Sequence, residues 1–239
     1  VFHLHKEGNA AEEYEDAFAG NTKTGRFAVA DGASESSFAG AWAKLLVEGF
    51  VATRDGKTTV NWFDPLPQRW ADGVDHLELN WYAEEKRQQG AFATFLGLSI
   101  KKPQDGKEGR WKVLAVGDSC MCQVREDQLV DAFPLTKSTE FGNRPTLLGS
   151  RALRNGAHPL GAAQQKLGRW KPADRFFLMT DALAEWFLKR HEEKRKPWQS
   201  LLRRLAEANP SAALAAYVGK LRQERELKND DVTLVVIAL

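Results

Sequence analysis

Cysteine is scarce. Only two, Cys120 and Cys122, occur in 239 residues, too few for a disulfide framework and in keeping with a reducing, cytoplasmic setting. Standing at i and i+2, they would point to one face of a strand. With no second cysteine pair to complete a zinc site, they read as free thiols packed in or near the core. Histidine is sparse as well, five in all, without a His-Glu-x-x-His arrangement; His3 and His5 alternate on a possible first strand. No apolar run approaches the roughly 18 residues a membrane span needs, and no signal-like segment opens the chain. Net charge is nearly absent, 34 Lys and Arg against 32 Asp and Glu leaving +2, so the electrostatic footprint of a nucleic-acid binder is missing. Repeats, low-complexity tracts and Ser/Gly/Pro-rich linkers are missing too. The expectation is a cytoplasmic protein that engages neither membrane nor nucleic acid.

What the chain does contain is bulk for a core: 8 Trp, 13 Phe and 43% hydrophobic residues, which excludes intrinsic disorder. Arg26–Ala30 reads as a short buried strand stopped by Asp31-Gly32. Phe38, Trp42, Leu45, Leu46 and Phe50 recur at spacings of three and four, predicting a helix from about Ser36 to Arg54. A second helical stretch is expected over Asp72–Gln89. Strands follow at Phe92–Ile100, Trp111–Gly117 and Cys120–Arg125, then a long loop from Pro134 to about Pro159. Arg175–Met179 is another buried strand, two or three helices fill Ala182–Leu227, and Val232–Ile237 closes the chain as a strand. Helices grouped between antiparallel-looking strands favour a layered α+β sandwich over a doubly wound sheet.

The informative feature is where the acids stand. Asp31, Asp181 and Asp230 (or Asp231) each mark the end of a strongly apolar strand, and Glu15-Asp16 opens the strand-like Ala17-Phe18-Ala19. Any one of them is an ordinary turn residue. A sheet, however, brings distant strand ends to one edge, and carboxylates gathered there repel one another unless cations compensate. Oxygen ligands select Mg²⁺ or Mn²⁺, and the constellation suggests a two-metal hydrolytic site.

Five segments carry a resemblance: Glu15-Asp16-Ala17-Phe18, Phe27-Ala28-Val29-Ala30-Asp31-Gly32, Val116-Gly117-Asp118-Ser119, Leu178-Met179-Thr180-Asp181 and Asp230-Asp231-Val232-Thr233-Leu234. In that order they resemble the motifs of the metal-dependent PPM phosphatases, the protein phosphatase 2C type, over nearly the whole chain. The Asp-Gly-Ala-Ser-Glu-Ser stretch and the alanine after Asp181 look more like the compact bacterial members. The resemblance implies one catalytic domain over residues 1–239, built as a four-layer α-β-β-α sandwich with two central mixed sheets flanked by antiparallel helix pairs. It implies hydrolysis of phosphoserine and phosphothreonine in proteins by a water activated between two Mn²⁺ or Mg²⁺ ions. Asp31 matches the acid bridging both metals, Gly32 the residue whose carbonyl binds the second, Asp181 and Asp230 the remaining ligands of the first. Glu15 matches an acid at the second metal, and Asp16 one that orients metal-bound water. The implied partner is a phosphoprotein made by a Ser/Thr kinase, and the implied state a monomer.

The chain departs from the family pattern in three places. Ala11 stands where members commonly have an arginine for the substrate phosphate, leaving Lys6 or His5 to supply that charge from a different backbone position. An acid used by some members for a third metal is replaced by Gln88 or Gln89, and Ala182 replaces a common glycine. The missing arginine motivates an alternative, a non-catalytic domain of this fold that binds metal or a phosphoprotein; a small-molecule phosphatase is more distant. Asp118 is read as a structural turn residue outside the site. Asp55-Gly56-Lys57-Thr58 holds the end of a P-loop signature, but Val51 occupies the leading glycine position, so it reads as a turn. The Lys/Arg-rich stretch Lys189–Arg204, interrupted by Glu192 and Glu193, reads as the solvated face of amphipathic helices, with docking of an acidic partner as the sharper reading.

Overall fold

The computed structural model describes residues 1–34, 36, 38–53, 62–78, 81–103, 108–142, 144–151 and 158–239. The chain alternates strands and helices as β1 (Phe2–Leu4), β2 (Ala17–Asn21), β3 (Arg26–Ala30), α1 (Ala39–Ala52), α2 (Leu66–Val74), α3 (Trp81–Gln89), β4 (Phe92–Ala93), β5 (Phe95–Lys101), β6 (Gly109–Val116), β7 (Cys120–Arg125), β8 (Gln128–Phe133), β9 (Leu148–Gly149), β10 (Gln164–Trp170), β11 (Arg175–Met179), α4 (Asp181–Glu192), α5 (Pro197–Leu205), α6 (Pro210–Gln223) and β12 (Val232–Ala238). Two five-stranded sheets form, ordered β1-β12-β11-β7-β8 and β10-β6-β5-β3-β2. Neighbouring strands in both run antiparallel. The expected α+β sandwich of two sheets between helical layers is the observed one.

Period-two alternation builds the layers. On β3, Phe27 and Val29 face the opposite sheet, where they meet Phe176, Leu178, Val235 and Ile237. Ala28 and Ala30 face the helical side with Trp42, Leu46 and Phe50 of α1. On β11 the same split sends Phe177 and Met179 toward Leu183, Phe187 and Trp198 of α4 and α5. Cys120 and Cys122 lie on that helix-facing side as buried free thiols, as expected. α4 and α5 are the amphipathic helices read over the Lys/Arg-rich stretch, with Trp186, Trp198 and Leu201 inward.

Boundaries differ from the sequence reading where turn chemistry intervenes. α1 starts at Ala39, three residues later than expected. Ser36 is held outside it: its hydroxyl donates to the Ala33 carbonyl at 2.8 Å and accepts the Phe92 N–H at 3.2 Å. Phe38 then takes a left-handed φ of 63°, which a helix cannot contain; the expected end at Arg54 lies outside the described residues. The single stretch expected over Asp72–Gln89 is two helices. α2 begins early, at Leu66, with Pro67 in the first turn where a missing N–H costs nothing. The break follows Val74, whose carbonyl is taken by Arg87 of α3 at 2.9 Å. The Asp55–Thr58 segment lies outside the described residues.

Candidate metal centre

Strand register brings the acids together before any side chain is considered. Ala17 pairs with Ala30, so continuing the ladder by one residue sets Asp16 opposite Asp31. Met179 pairs with Cys120 and with Leu234. Continuing those ladders sets Asp181 opposite Asp118 on one side and Val232 on the other, next to Asp231. Glycine permits the two tight places. A Cβ on Gly32 would meet the Glu15 carbonyl oxygen at 2.8 Å, and Gly117, at φ +94°, has the Thr146 carbonyl 2.8 Å from where its Cβ would be.

Asp16 ties the two sheets at this end. Its Oδ2 accepts from the Thr180 hydroxyl at 2.9 Å and the Thr233 hydroxyl at 2.7 Å, while Thr180 Oγ1 also accepts the Thr233 N–H at 3.0 Å. Its Oδ1 is buried without a hydrogen-bond partner, as is Oδ1 of Asp118. Tyr14 closes the floor with a hydroxyl bonded to that of Thr233. Asp231 does structural work: Oδ1 accepts the Lys6 N–H at 2.8 Å and Oδ2 the Glu15 N–H at 2.7 Å. Asp230 has Oδ2 on Lys228 at 2.9 Å and Oδ1 accepting the Asp231 N–H at 3.1 Å, and it acts on Asp31.

The electrostatics follow from burial and crowding. Burial, then Thr-damped repulsion from Asp231 and Asp181, pushes Asp16 up to about 8. Burial first, then Asp16, Asp181, Asp118 and Asp230, pushes Asp31 well above the carboxylate range. Burial with Asp181 pushes Asp118 to about 7, and burial raises Glu15 and Asp181 as well. Among the described residues Lys6, Lys228 and Arg222 stand against this crowd, Arg222 acting on Asp231 and Asp230. Lys6 offsets Glu15. Lys228 sets its ammonium 3.1 Å from Asp181 Oδ2 and 2.9 Å from Asp230 Oδ2. Burial depresses Lys228, but Asp181 and Asp230 outweigh it and hold the ammonium above the ordinary lysine range.

Among the described residues no three His, Cys, Asp or Glu side chains are arranged to enclose an ion. The donor set nevertheless suits hard divalent cations: all oxygen, with two buried carboxylate oxygens unpartnered and several carboxylates held above their usual range by burial and then by each other.

The protein phosphatase 2C family model matches residues 9–219. The chain belongs to the protein phosphatase 2C family. Its activity is that of the family, metal-dependent hydrolysis of phosphoserine and phosphothreonine. No curated protein matches the sequence. Among solved structures, PppA of Pseudomonas aeruginosa, described as a key regulatory component of T6SS, aligns with a TM-score of 0.57 and 17% identity, over 99% of this chain and 94% of its own. The Mycobacterium tuberculosis serine/threonine phosphatase PstP/Ppp aligns with a TM-score of 0.59 and 15% identity, over 98% and 94%. The PstP catalytic domain has also been solved in complex with 2 manganese ions, at the same TM-score and identity. At such identities these likenesses carry the fold alone.

Glu15, Asp16, Asp31, Gly32, Asp181 and Asp230 thus lie at one end of the sandwich. His5 and Lys6 border it through the backbone: Arg222 holds the His5 carbonyl at 3.1 Å. Ala11 sits in a single 3₁₀ turn, Ala11–Glu13. Gln88 is bonded to Glu84 on α3 at 3.3 Å. Asp118 occupies the β6–β7 turn as read from the sequence, yet its carboxylate belongs electrostatically to the cluster. Thr180, Thr233 and Lys228 also belong to the site, although the sequence assigns none of them a role. The two threonines lie inside quoted motifs, whereas nothing in the sequence singled out a lysine two residues before Asp230.

A stability prediction follows from Asp16. An unfolded aspartate titrates near 3.9, so between about 4 and about 8 the metal-free folded chain binds the extra proton. Its contribution is present below about pH 4 and is lost as pH rises through about 8. In chelator, the melting temperature should therefore fall from pH 5 to pH 8. Asp16→Asn should recover several degrees of that fall, on the scale of about 1–2 kcal/mol. Identical pH profiles for the two proteins would remove Asp16 as the titrating group.

Proposed function

We propose that residues 1–239 act as one catalytic domain that removes phosphate from serine and threonine of a phosphoprotein, with two Mn²⁺ or Mg²⁺ ions at the acidic end of the sandwich. The observation that carries this reading is the convergence of acids from separate elements of both sheets on a buried site that raises their pKa values. Asp31, on which Asp16, Asp181, Asp118 and Asp230 all act, would be the central residue holding the ions. With it, Asp181, Asp230, Glu15 and the Gly32 carbonyl form the ligand set. Divalent cations held there supply positive charge for the phosphoryl oxygens and lower the pKa of water.

The chain's own groups do the rest. Asp16, its Oδ2 fixed by two threonine hydroxyls, presents Oδ1 as an acceptor that orients the attacking water. Asp16 and Asp31 are the proposed catalytic residues. Lys6, with its backbone pinned to Asp231 and its charge felt by Glu15, is placed to attract a substrate phosphate, with His5 beside it. As a point charge it lacks the bidentate fork of arginine, so Lys6→Ala should raise KM. An unchanged KM would take Lys6 out of the substrate site.

The two-ion complex of PstP supports the count of metals. The T6SS component PppA supports a signalling phosphoprotein as partner; a Ser/Thr kinase would supply that substrate. Among the described residues no helix is long and apolar enough to cross a membrane, and the two free thiols fit a reducing, cytoplasmic setting; the enzyme is proposed to act as a monomer. The test is phosphate release from a phosphothreonine peptide with Mn²⁺, with Mg²⁺ and with chelator. Release is expected with either metal and not with chelator. Metal binding without release would instead favour a non-catalytic module.

A further inference from the structure

Lys228 is out of place in a cation site. Its ammonium lies within 3.1 Å of Asp181 and 2.9 Å of Asp230, the two acids read above as ligands of one ion. Building on that reading, we propose that Lys228 is a tethered counter-cation that competes with the divalent ion for Asp181 and Asp230 and so weakens the site's metal affinity.

Three observations support this. The first is geometric: a single ammonium reaches an oxygen of each acid, Asp181 Oδ2 at 3.1 Å and Asp230 Oδ2 at 2.9 Å. Each partner stabilises the charged form of the other, so the lysine-bound arrangement is favoured in the metal-free chain. One ammonium neutralises only one of two carboxylates, whereas a divalent ion neutralises both; exchange is therefore possible and not blocked.

The second is positional. The backbone around the pair is held by other groups and does not need Lys228. Arg222 donates to the carbonyl of Asp230, Asp231 anchors Lys6 and Glu15, and the Ala182 N–H binds Asp181 Oδ1 at 2.6 Å. Removing the ammonium would leave both carboxylates in place.

The third is freedom to leave. The Lys228 side chain is 52% exposed and borders a groove of about 530 Å³ that also reaches Glu185 and Lys189 of α4. An ammonium on a flexible stem can turn into that groove without repacking the core.

The apparent dissociation constant equals the intrinsic one divided by the fraction of molecules whose site is open. Lysine bound about ten times out of eleven thus weakens metal binding about tenfold. The experiment is calorimetric titration of chelator-stripped protein with Mn²⁺, using wild type, Lys228→Gln, Lys228→Arg and Asp31→Asn, with melting temperatures in chelator alongside. Lys228→Gln should bind Mn²⁺ about tenfold or more tightly and melt lower in chelator. Lys228→Arg, which keeps the charge, should stay near wild type in both. Equal or weaker Mn²⁺ binding by Lys228→Gln, in a series where wild type binds and Asp31→Asn does not, would overturn the competition and leave the metal-site reading standing. Absence of Mn²⁺ binding in all four proteins at millimolar metal would overturn both.

Discussion

Asp31→Asn should lower phosphopeptide hydrolysis by more than about a hundredfold while leaving the chain folded. Partners that only orient a metal ligand typically contribute about 10–100-fold when removed, and Asp31 is proposed to touch both ions directly. The same substitution removes the carboxylate that burial and four neighbouring acids disfavour most plainly. In chelator, Asp31→Asn should therefore melt no lower than wild type at pH 8, and higher if relief of that repulsion dominates. Activity and stability moving in opposite directions would separate loss of chemistry from misfolding. Near-normal turnover by a folded Asp31→Asn would sink the two-metal assignment.

Asp174→Ala should be strongly destabilising although it lies away from the site. Asp174 is fully buried and takes Arg125 in a fork, Nε to Oδ1 at 2.8 Å and Nη2 to Oδ2 at 2.7 Å. Its Oδ2 also accepts from Gln123 Nε2 at 2.7 Å and from the Lys171 N–H at 2.9 Å. Gln123 in turn accepts from the Trp111 indole of the other sheet at 3.0 Å. The backbone carbonyl of Asp174 receives the Leu239 N–H at 3.1 Å. The carboxylate thus links β7 and the turn into β11, and through Gln123 reaches β6, while the bond to Leu239 belongs to the main chain. Burial raises its pKa, but Arg125 and the Lys171 and Gln123 bonds outweigh that and hold it below the ordinary range. Asp174 is buried but Arg125 keeps 26% of its side chain exposed, so removing the carboxylate should cost about 2–3 kcal/mol, roughly 5–10 °C in a chain of this size. A urea midpoint should fall with the slope unchanged. A loss under about 1 kcal/mol would mean that the network is not a structural tie.

Much of the fold was legible because its central strands carry their own signal. Cys120–Arg125 and Arg175–Met179 are found at the expected bounds, and β12 extends the expected one by a single residue. Strands buried on both faces are continuous apolar runs, and those read easily. β8 and β10 were not read, although they complete the outer edges of the two sheets. Gln164–Trp170 is largely polar and exposed, and Gln128–Phe133 breaks the apolar alternation by exposing Val130 and half-burying Asp131 before its buried end at Ala132 and Phe133. Their strand state comes from ladder bonds to β7 and β6 rather than from a pattern of their own. The split of one expected helix into α2 and α3 is of the same kind, since the break is stabilised by Arg87 across the gap.

The sequence by itself determined which acids stand at strand ends, because an apolar run that stops at Asp-Gly or Thr-Asp states its own boundary. Motif order then determined the family. Which oxygens are free and which are spent was decided only in three dimensions. Asp231 and Asp230 are adjacent in sequence, yet one binds two backbone N–H groups and the other faces Lys228. Asp118 joins the acids because antiparallel register sets it across from Asp181. Lys228 matters because a side chain reaching back from the loop before β12 finds two carboxylates at once. Charge crowding is a property of distance, and distance between residues far apart in the chain is what folding alone supplies.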